Sequence, residues 1–276
     1  MPSSTQPIHH LNCGTMCPRG ARLLAGHGGL LEPARLVCHC LLIERADGLV
    51  LIDTGFGSGD IAERRRLGAP FNAIVRPALR AEETAAAQLR ALGFQGGDVR
   101  HIIATHLDLD HAGGLADFPE AEVHVIADEL HAARHPSLRE RSRYVSAQWA
   151  HEPRWAEHRA GGGEQWFGFD GVRILPGEGE EVLLIPLAGH TAGHTGVAVR
   201  RGERWLLHCG DAYFHRGQVQ TPPSCPPGLA AFQSLTALDN KRRRENVERL
   251  RELAARHGEQ VELFCSHDPT TLEERT

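Results

Sequence analysis

Thr105-His106-Leu107-Asp108-Leu109-Asp110-His111-Ala112-Gly113-Gly114 is the stretch on which the reading of this 276-residue chain turns. It follows an apolar run, Asp98-Val99-Arg100-His101-Ile102-Ile103-Ala104, that reads as a buried strand. The polar residues therefore occupy the loop leaving the strand's C-terminal end, where open α/β sheets build their ligand sites. Four groups able to ligate a metal fall within six residues. In an extended turn His106 and Asp108 are directed one way, while Asp110 and His111 reach the other. The two glycines let the backbone bend tightly behind them. A plain polar loop, with Asp110 as a helix N-cap and the histidines solvated, accounts for any one of these residues but poorly for the whole string.

Working outward, three more polar residues stand at the ends of apolar runs: His190 after Leu183–Gly189, Asp211 after Trp205–Gly210, and His267 after Glu262–Ser266. If all four strand ends meet at one edge, they assemble the mixed nitrogen and oxygen ligand set that suits zinc, iron or manganese. Eighteen histidines make such a site plausible from composition alone.

The remaining pattern predicts the architecture. Residues 36–45 and 48–55 read as two strands joined by a short Ala-Asp-Gly turn. Residues 82–93 read as a helix closed by Gly93, and 98–106 and 121–127 as strands. Residues 171–211 hold four closely spaced strands, 232–257 a long charged helix, and 261–267 a last strand. This order predicts an α/β (α+β sandwich) fold: two sheets packed face to face with helices outside, in one domain over 1–276. Hydrophobic residues at 41% and charged ones at 24% exclude disorder. No apolar run approaches the ~20 residues of a membrane span. Lys+Arg 30 against Asp+Glu 35 gives a net charge of −5, which argues against nucleic acid. The first 14 residues lack the layout of a secretion signal, and the seven cysteines show no zinc-ribbon spacing, so a reduced, cytoplasmic protein is expected.

These motifs resemble the metallo-β-lactamase superfamily, the αββα hydrolases with a dinuclear metal site, over nearly the whole chain, from Leu49-Val50-Leu51-Ile52-Asp53-Thr54-Gly55 to Ser266-His267-Asp268. Within it the layout is most similar to the N-acyl homoserine lactone lactonase branch, and more loosely to glyoxalase II. The resemblance implies two divalent ions, zinc or else iron or manganese. His106, Asp108 and His190 would hold one, Asp110, His111 and His267 the other, and Asp211 would bridge them. Asp53 would orient the ligand loop from behind, and His194 matches a histidine that is usually structural. The family pattern HxHxDH has Asp108 in place of its middle histidine here. With a bridging hydroxide, two divalent ions and three carboxylates then sum to a neutral site. The oxygen donor shifts preference modestly from zinc toward iron or manganese, and it leaves open that one site fills less readily.

The implied reaction is hydrolysis of a lactone or related carboxylic ester by the metal-bridging hydroxide, with Asp110 passing on a proton. Tyr213 is similar in position to the lactonase tyrosine that binds the carbonyl oxygen, although that residue lies slightly further on, where this chain has Phe214; packing explains Tyr213 equally well. Substrate choice is expected from 128–170, which holds Tyr144, Trp149, Trp155, Trp166, Phe167 and Phe169. They form either an apolar lid for an acyl or aromatic group or the fastening of an insertion to the body. Leu11, Met16, Leu23 and His27 are further candidates for the cleft edge. Thioester hydrolysis of the glyoxalase II type is the first alternative, but it calls for a basic segment near the C-terminus. Here Lys241-Arg242-Arg243-Arg244 sits in a charged helix that reads as a solvated face. The other alternative is a di-iron redox protein related to flavo-diiron oxygen reductases, which also carry a carboxylate at the middle position but have an appended flavin domain. The expected partner is a small ester or lactone, with no nucleic acid and no membrane; pairing with a second copy of the chain is left open.

Overall fold

The computed structural model describes residues 6–175 and 181–276. In chain order the strands and helices are β1 (Ile8–Met16), α1 (Ala21–Leu24), β2 (Leu36–Arg45), β3 (Gly48–Ile52), α2 (Ser58–Ala62), α3 (Ala69–Ile74), α4 (Ala85–Ala91), β4 (Val99–Ile103), β5 (Glu122–Ile126), α5 (Ala127–Arg134), β6 (Arg154–His158), β7 (Glu164–Trp166), β8 (Phe169–Leu175), β9 (Val182–Pro186), β10 (Thr195–Arg201), β11 (Arg204–His208), α6 (Pro227–Thr236), α7 (Asn240–His257), β12 (Val261–Phe264) and α8 (Pro269–Glu273).

Among the described residues the strands form two six-stranded sheets, ordered β1-β2-β3-β4-β5-β6 and β12-β11-β10-β9-β8-β7. In the first sheet β3, β4, β5 and β6 run parallel, while β1 and β2 add antiparallel. In the second sheet only the β11–β12 pair is parallel. The sheets bury both faces, and strand periodicity sorts the side chains. Along β2, Leu41 and Ile43 join Val197, Val199 and Leu184 in the layer between the sheets, whereas Cys38, Cys40 and Leu42 enter an outer core beneath helices. Val197 and Val199 of β10 face the inter-sheet layer and Ala198 faces α7. Strands buried on both sides read as continuous apolar runs, which is why they are conspicuous in the sequence.

Three features depart from the expected layout. First, Ile8–Met16, to which the sequence reading assigned no element, is the edge strand β1, and Leu11 and Met16 belong to the core rather than to a cleft edge. Second, the long helix over 232–257 is two helices broken at Ala237–Asp239. Asp239 caps α7 by accepting the Arg242 N–H at 3.0 Å, a side-chain role that competes with helix continuation. Its backbone N–H and that of Leu238 donate to the carbonyls of Gly189 and His190 at 2.8 and 3.0 Å. The break thus pins the loop carrying His190. Arg243, expected on a solvated face, is 4% exposed and donates to Ala212 O and Gln233 Oε1.

Third, the 128–170 segment is threaded through the fold. It supplies most of α5, edge strand β6 of the first sheet and edge strand β7 of the second. Tyr144 lies in the outer core of the first sheet with Trp149 and Trp155 against it. Trp166 and Phe169 lie in the outer core of the second, with Phe167 against it. These aromatic side chains fasten the segment to the body. All seven cysteines are unpaired, and no helix among the described residues is long and apolar enough to cross a membrane.

Candidate metal centre

β4 ends at Ile103 and delivers the loop 104–114 to the sheet edge. Asp53, which follows β3 in the left-handed region (φ 56°), holds that loop from beneath. Its Oδ1 accepts the Thr105 backbone N–H, and its Oδ2 accepts the Thr105 hydroxyl and His111 Nδ1–H, each at 2.8 Å. Thr105 Oγ1 in turn lies 2.9 Å from His106 Nδ1. One buried carboxylate therefore sets the ring orientation of two histidines and turns both Nε2 atoms inward. The Ala112-Gly113-Gly114 corner passes so close to Gly55 and to the Asp60 carboxylate that a Cβ on Gly113 would overlap both.

The other polar strand ends arrive at the same place. His190 Nε2 lies 3.0 Å from Asp108 Oδ2. His267 is held by Nδ1–H donation to Val37 O at 2.8 Å, which leaves Nε2 facing Asp211. His194 donates from Nδ1 to Leu187 O and accepts the Asp211 backbone N–H at Nε2 at 2.8 Å, so its role is to position Asp211. Asp211 sits between the histidines of the cluster. Oδ2 is 3.5 Å from His190 Nε2 and 3.8 Å from His106 Nε2, Oδ1 is 3.3 Å from His111 Nε2, and both oxygens are 3.1 Å from His267 Nε2. Asp110 Oδ2 lies 3.8 Å from His267 Nε2. His106, Asp108 and His190 form one group whose donor atoms lie within 4.8 Å of each other, and Asp110, His111 and His267 form a second; Asp211 groups likewise with His106 and His111.

The donor set fits divalent cations. His106 Nε2 is buried without a hydrogen-bond partner, an arrangement that costs about 1–3 kcal/mol unless something fills it. Burial alone would lower the His111 pKa, but Asp211, Asp53 and Asp110 hold it well above the usual imidazole value. His267 is likewise raised against burial by Asp211. Burial opposes ionisation of Asp108 and Asp211, yet Arg143 and His106 beside the first, and His267 and His111 beside the second, keep both well below the usual carboxylate range.

Tyr213 is not at this centre. It is 1% exposed in the core beneath α7, where burial and the neighbouring Cys209 and Cys265 push its hydroxyl up. The next residue, Phe214, takes the position beside the cluster, its ring 4.7 Å from that of His267 and 6.0 Å from that of His190. The chain turns directly after β11, with Ala212 N–H donating to Cys209 O at 3.2 Å, and packing sends the two adjacent rings to different surroundings.

Two residues that sequence reasoning missed complete the site. Glu129, at the start of α5, is fully buried. Its Oε1 accepts Leu107 N–H at 3.0 Å and Tyr144 OH at 3.1 Å, and its Oε2 accepts Gly193 N–H at 3.1 Å. It thereby ties the 106–111 loop to the 189–194 loop. Its position just past an apolar strand is the signal that singled out Asp211 and could have found it. Arg143 places Nε 3.5 Å from Asp108 Oδ1 and donates to His190 O at 3.1 Å and Thr236 O at 2.6 Å. It supplies a positive charge beside the carboxylate that replaces the usual histidine. No local pattern marks it.

The sequence matches the metallo-beta-lactamase superfamily model over residues 33–259. A probable metallo-hydrolase of Mycobacterium tuberculosis is 47% identical over 263 residues, 95% of this chain and 80% of that protein. The N-acyl homoserine lactonase AttM of Azorhizobium caulinodans is 28% identical over 246 residues, 83% of this chain and 80% of that one. Among solved structures, an N-acyl homoserine lactone hydrolase with the product N-hexanoyl-L-homoserine at its catalytic metal centre superposes with a TM-score of 0.73 at 19% identity, covering 98% of this chain and 96% of that chain. The dizinc quorum-quenching lactonase AidC superposes at 0.61 and 15% identity, covering 95% and 87%. Its two layered sheets repeat the fold of those structures, its donor clusters fit divalent metal, and the chain belongs to the metallo-β-lactamase superfamily as a metallo-hydrolase.

Proposed function

We propose that this metallo-hydrolase opens a lactone ring, or cleaves a related carboxylic ester, at a centre of two divalent ions. The observation that carries this reading is the position of Asp211 between two donor groups, with Oδ2 facing His106 and His190, Oδ1 facing His111, and both oxygens 3.1 Å from His267 Nε2. In this reading His106, Asp108 and His190 hold one ion, Asp110, His111 and His267 the other, and Asp211 both. The ions supply a Lewis acid for the carbonyl and a water acidic enough to act as a nucleophile at neutral pH.

The chain's own residues do the rest. Asp53 fixes the tautomers of His106 and His111 before substrate arrives, so no reorganisation is needed during the reaction. Asp110, whose side chain is 13% exposed, stands at the open side of the cluster and takes the proton released on attack, then returns it to the leaving oxygen. The Phe214 ring lies against His190 and His267 and keeps bulk water from that side. The relatives named as N-acyl homoserine lactonases support an acylated lactone as the substrate class. Asp108 biases the centre toward iron or manganese relative to an all-histidine pattern.

The deciding experiment is turnover of lactones, thioesters and phosphodiesters by zinc-, iron- and manganese-loaded protein. Lactone opening as the fastest reaction is expected. Faster thioester cleavage would move the protein to the glyoxalase II type. Bleaching with dithionite and recolouring with oxygen, with no ester hydrolysed, would overturn the hydrolase reading.

A further inference from the structure

A second group of donors lies apart from the candidate centre, on the inter-sheet face of the parallel strands. His101 of β4 pairs in register with Glu122 of β5, and His124 lies two residues further along β5 on the same face. His101 Nδ1 is 3.0 Å from His124 Nε2. Glu122 Oε2 stands 3.5 Å from the first of these nitrogens and 3.6 Å from the second. On the far side of the His124 ring, Nδ1 is 3.0 Å from His158 Nε2 of β6, with the two ring planes 14° apart.

We propose that His101, Glu122 and His124 bind a further divalent cation of the zinc class, with His158 orienting the His124 ring and water completing the coordination. Hydrogen bonding explains the row of imidazoles but not the carboxylate. Glu122 Oε2 is too far from either ring for a good hydrogen bond and nearly equidistant from both. Ligands about 2.0–2.1 Å from a tetrahedral zinc are separated by roughly 3.3–3.4 Å, and the three observed separations bracket that edge. Donation from His124 Nδ1–H to His158 Nε2 leaves the Nε2 lone pair of His124 directed at His101 and Glu122, so that its second ring nitrogen is fixed by an acceptor. Burial pushes His124 down to about 3 and lowers His101 and His158, so the rings are available as neutral ligands. The His101 and Glu122 side chains are 23% and 44% exposed, which gives the ion a path from solvent. The bound cation would clamp β4 to β5 without touching the hydrolytic residues.

The test uses the full chain, stripped with chelator, loaded with zinc, desalted, and its metal content measured by mass spectrometry. The wild type should retain one equivalent more than His101→Gln/Glu122→Gln, while lactone hydrolysis is unchanged between them. Asp211→Ala should lose metal from the candidate centre yet keep this equivalent. Should the double variant fail to fold, Glu122→Gln alone, at an exposed side chain, should bind the extra zinc at least tenfold more weakly in a competition titration. Equal stoichiometry and affinity in wild type and these variants overturns the proposal, whatever the hydrolytic assay gives.

Discussion

Replacing Arg143 with methionine isolates the electrostatic consequence of having Asp108 in the ligand loop. The Arg143 and Asp108 side chains are 14% and 11% exposed, with Nε and Oδ1 3.5 Å apart. At an effective dielectric of about 20, two unit charges at that distance attract by about 4.7 kcal/mol, against about 1.2 kcal/mol in bulk water. Removing one partner of such a pair leaves an uncompensated buried charge, and the lower end of the observed range, about 3 kcal/mol, applies because both groups keep some solvent contact. On the proposed ligand assignment, a divalent ion would face Asp108 instead in the metal-loaded protein. The loss there reduces to the two hydrogen bonds from Arg143 to His190 O and Thr236 O, together about 1.5 kcal/mol. By linkage the difference, about 1.5 kcal/mol, appears as metal binding roughly tenfold tighter in Arg143→Met than in wild type. Urea unfolding with excess chelator and with saturating metal, plus a competition titration for metal affinity, measures all three quantities. Equal destabilisation in the two states, or weaker metal binding in the variant, would refute the reasoning.

Further outcomes follow from the same geometry. Asp53→Asn removes the charged acceptor of His111 Nδ1–H and Thr105 and should weaken metal binding by about 10–100-fold, the usual cost of losing an orienting partner; an unchanged dissociation constant contradicts that role. Asp211→Ala should abolish lactone turnover and lower bound metal, and full activity would exclude Asp211 as the shared residue. Asp108→His should keep the fold and shift the bound-metal ratio toward zinc, as read by elemental analysis after growth in mixed metals. The ion-free protein should also have a distinctive pH profile. His111 and His267 are raised above 6.5 when folded, so their contribution is complete below pH 6.5 and is lost as pH rises through the raised values. Asp108 and Asp211 are depressed below 3.8, so theirs is present above pH 3.8 and lost as pH falls below it. A urea midpoint in chelator that is higher at pH 9 than at pH 6 would contradict the histidine part of this account.

Much of the molecule is legible in the amino-acid order because the relevant signals are local. Runs such as Leu36–Arg45 and Val182–Pro186 are apolar on both faces, and that pattern alone marks strands of a double-layered sandwich. His106, Asp108, Asp110, His111, His190, Asp211 and His267 each follow such a run, so the period of the strand and its end point already suggest that they share an edge. The glycines behind the 106–111 loop are visible in the sequence, but the reason for them is tertiary: a Cβ on Gly113 would overlap Gly55 and Asp60, and one on Gly114 would crowd Thr54.

What the tertiary structure alone decided concerns partners distant in sequence and the direction of single side chains. Arg143 reaches Asp108 from 35 positions away, and Glu129 joins two loops that no pattern connects. Tyr213 and Phe214 are adjacent, and only the packing of Asp211–Phe214 against the core beneath α7 determines which ring faces the centre. The helix break at Asp239 and the fastening of 128–170 arise in the same way, from contacts that outweigh local periodicity. Side-chain alternation and turn preference act over a few residues, so they locate strands and donors; charge compensation and ring orientation depend on what the fold brings within a few ångströms, and that is settled only when the sheets close on each other.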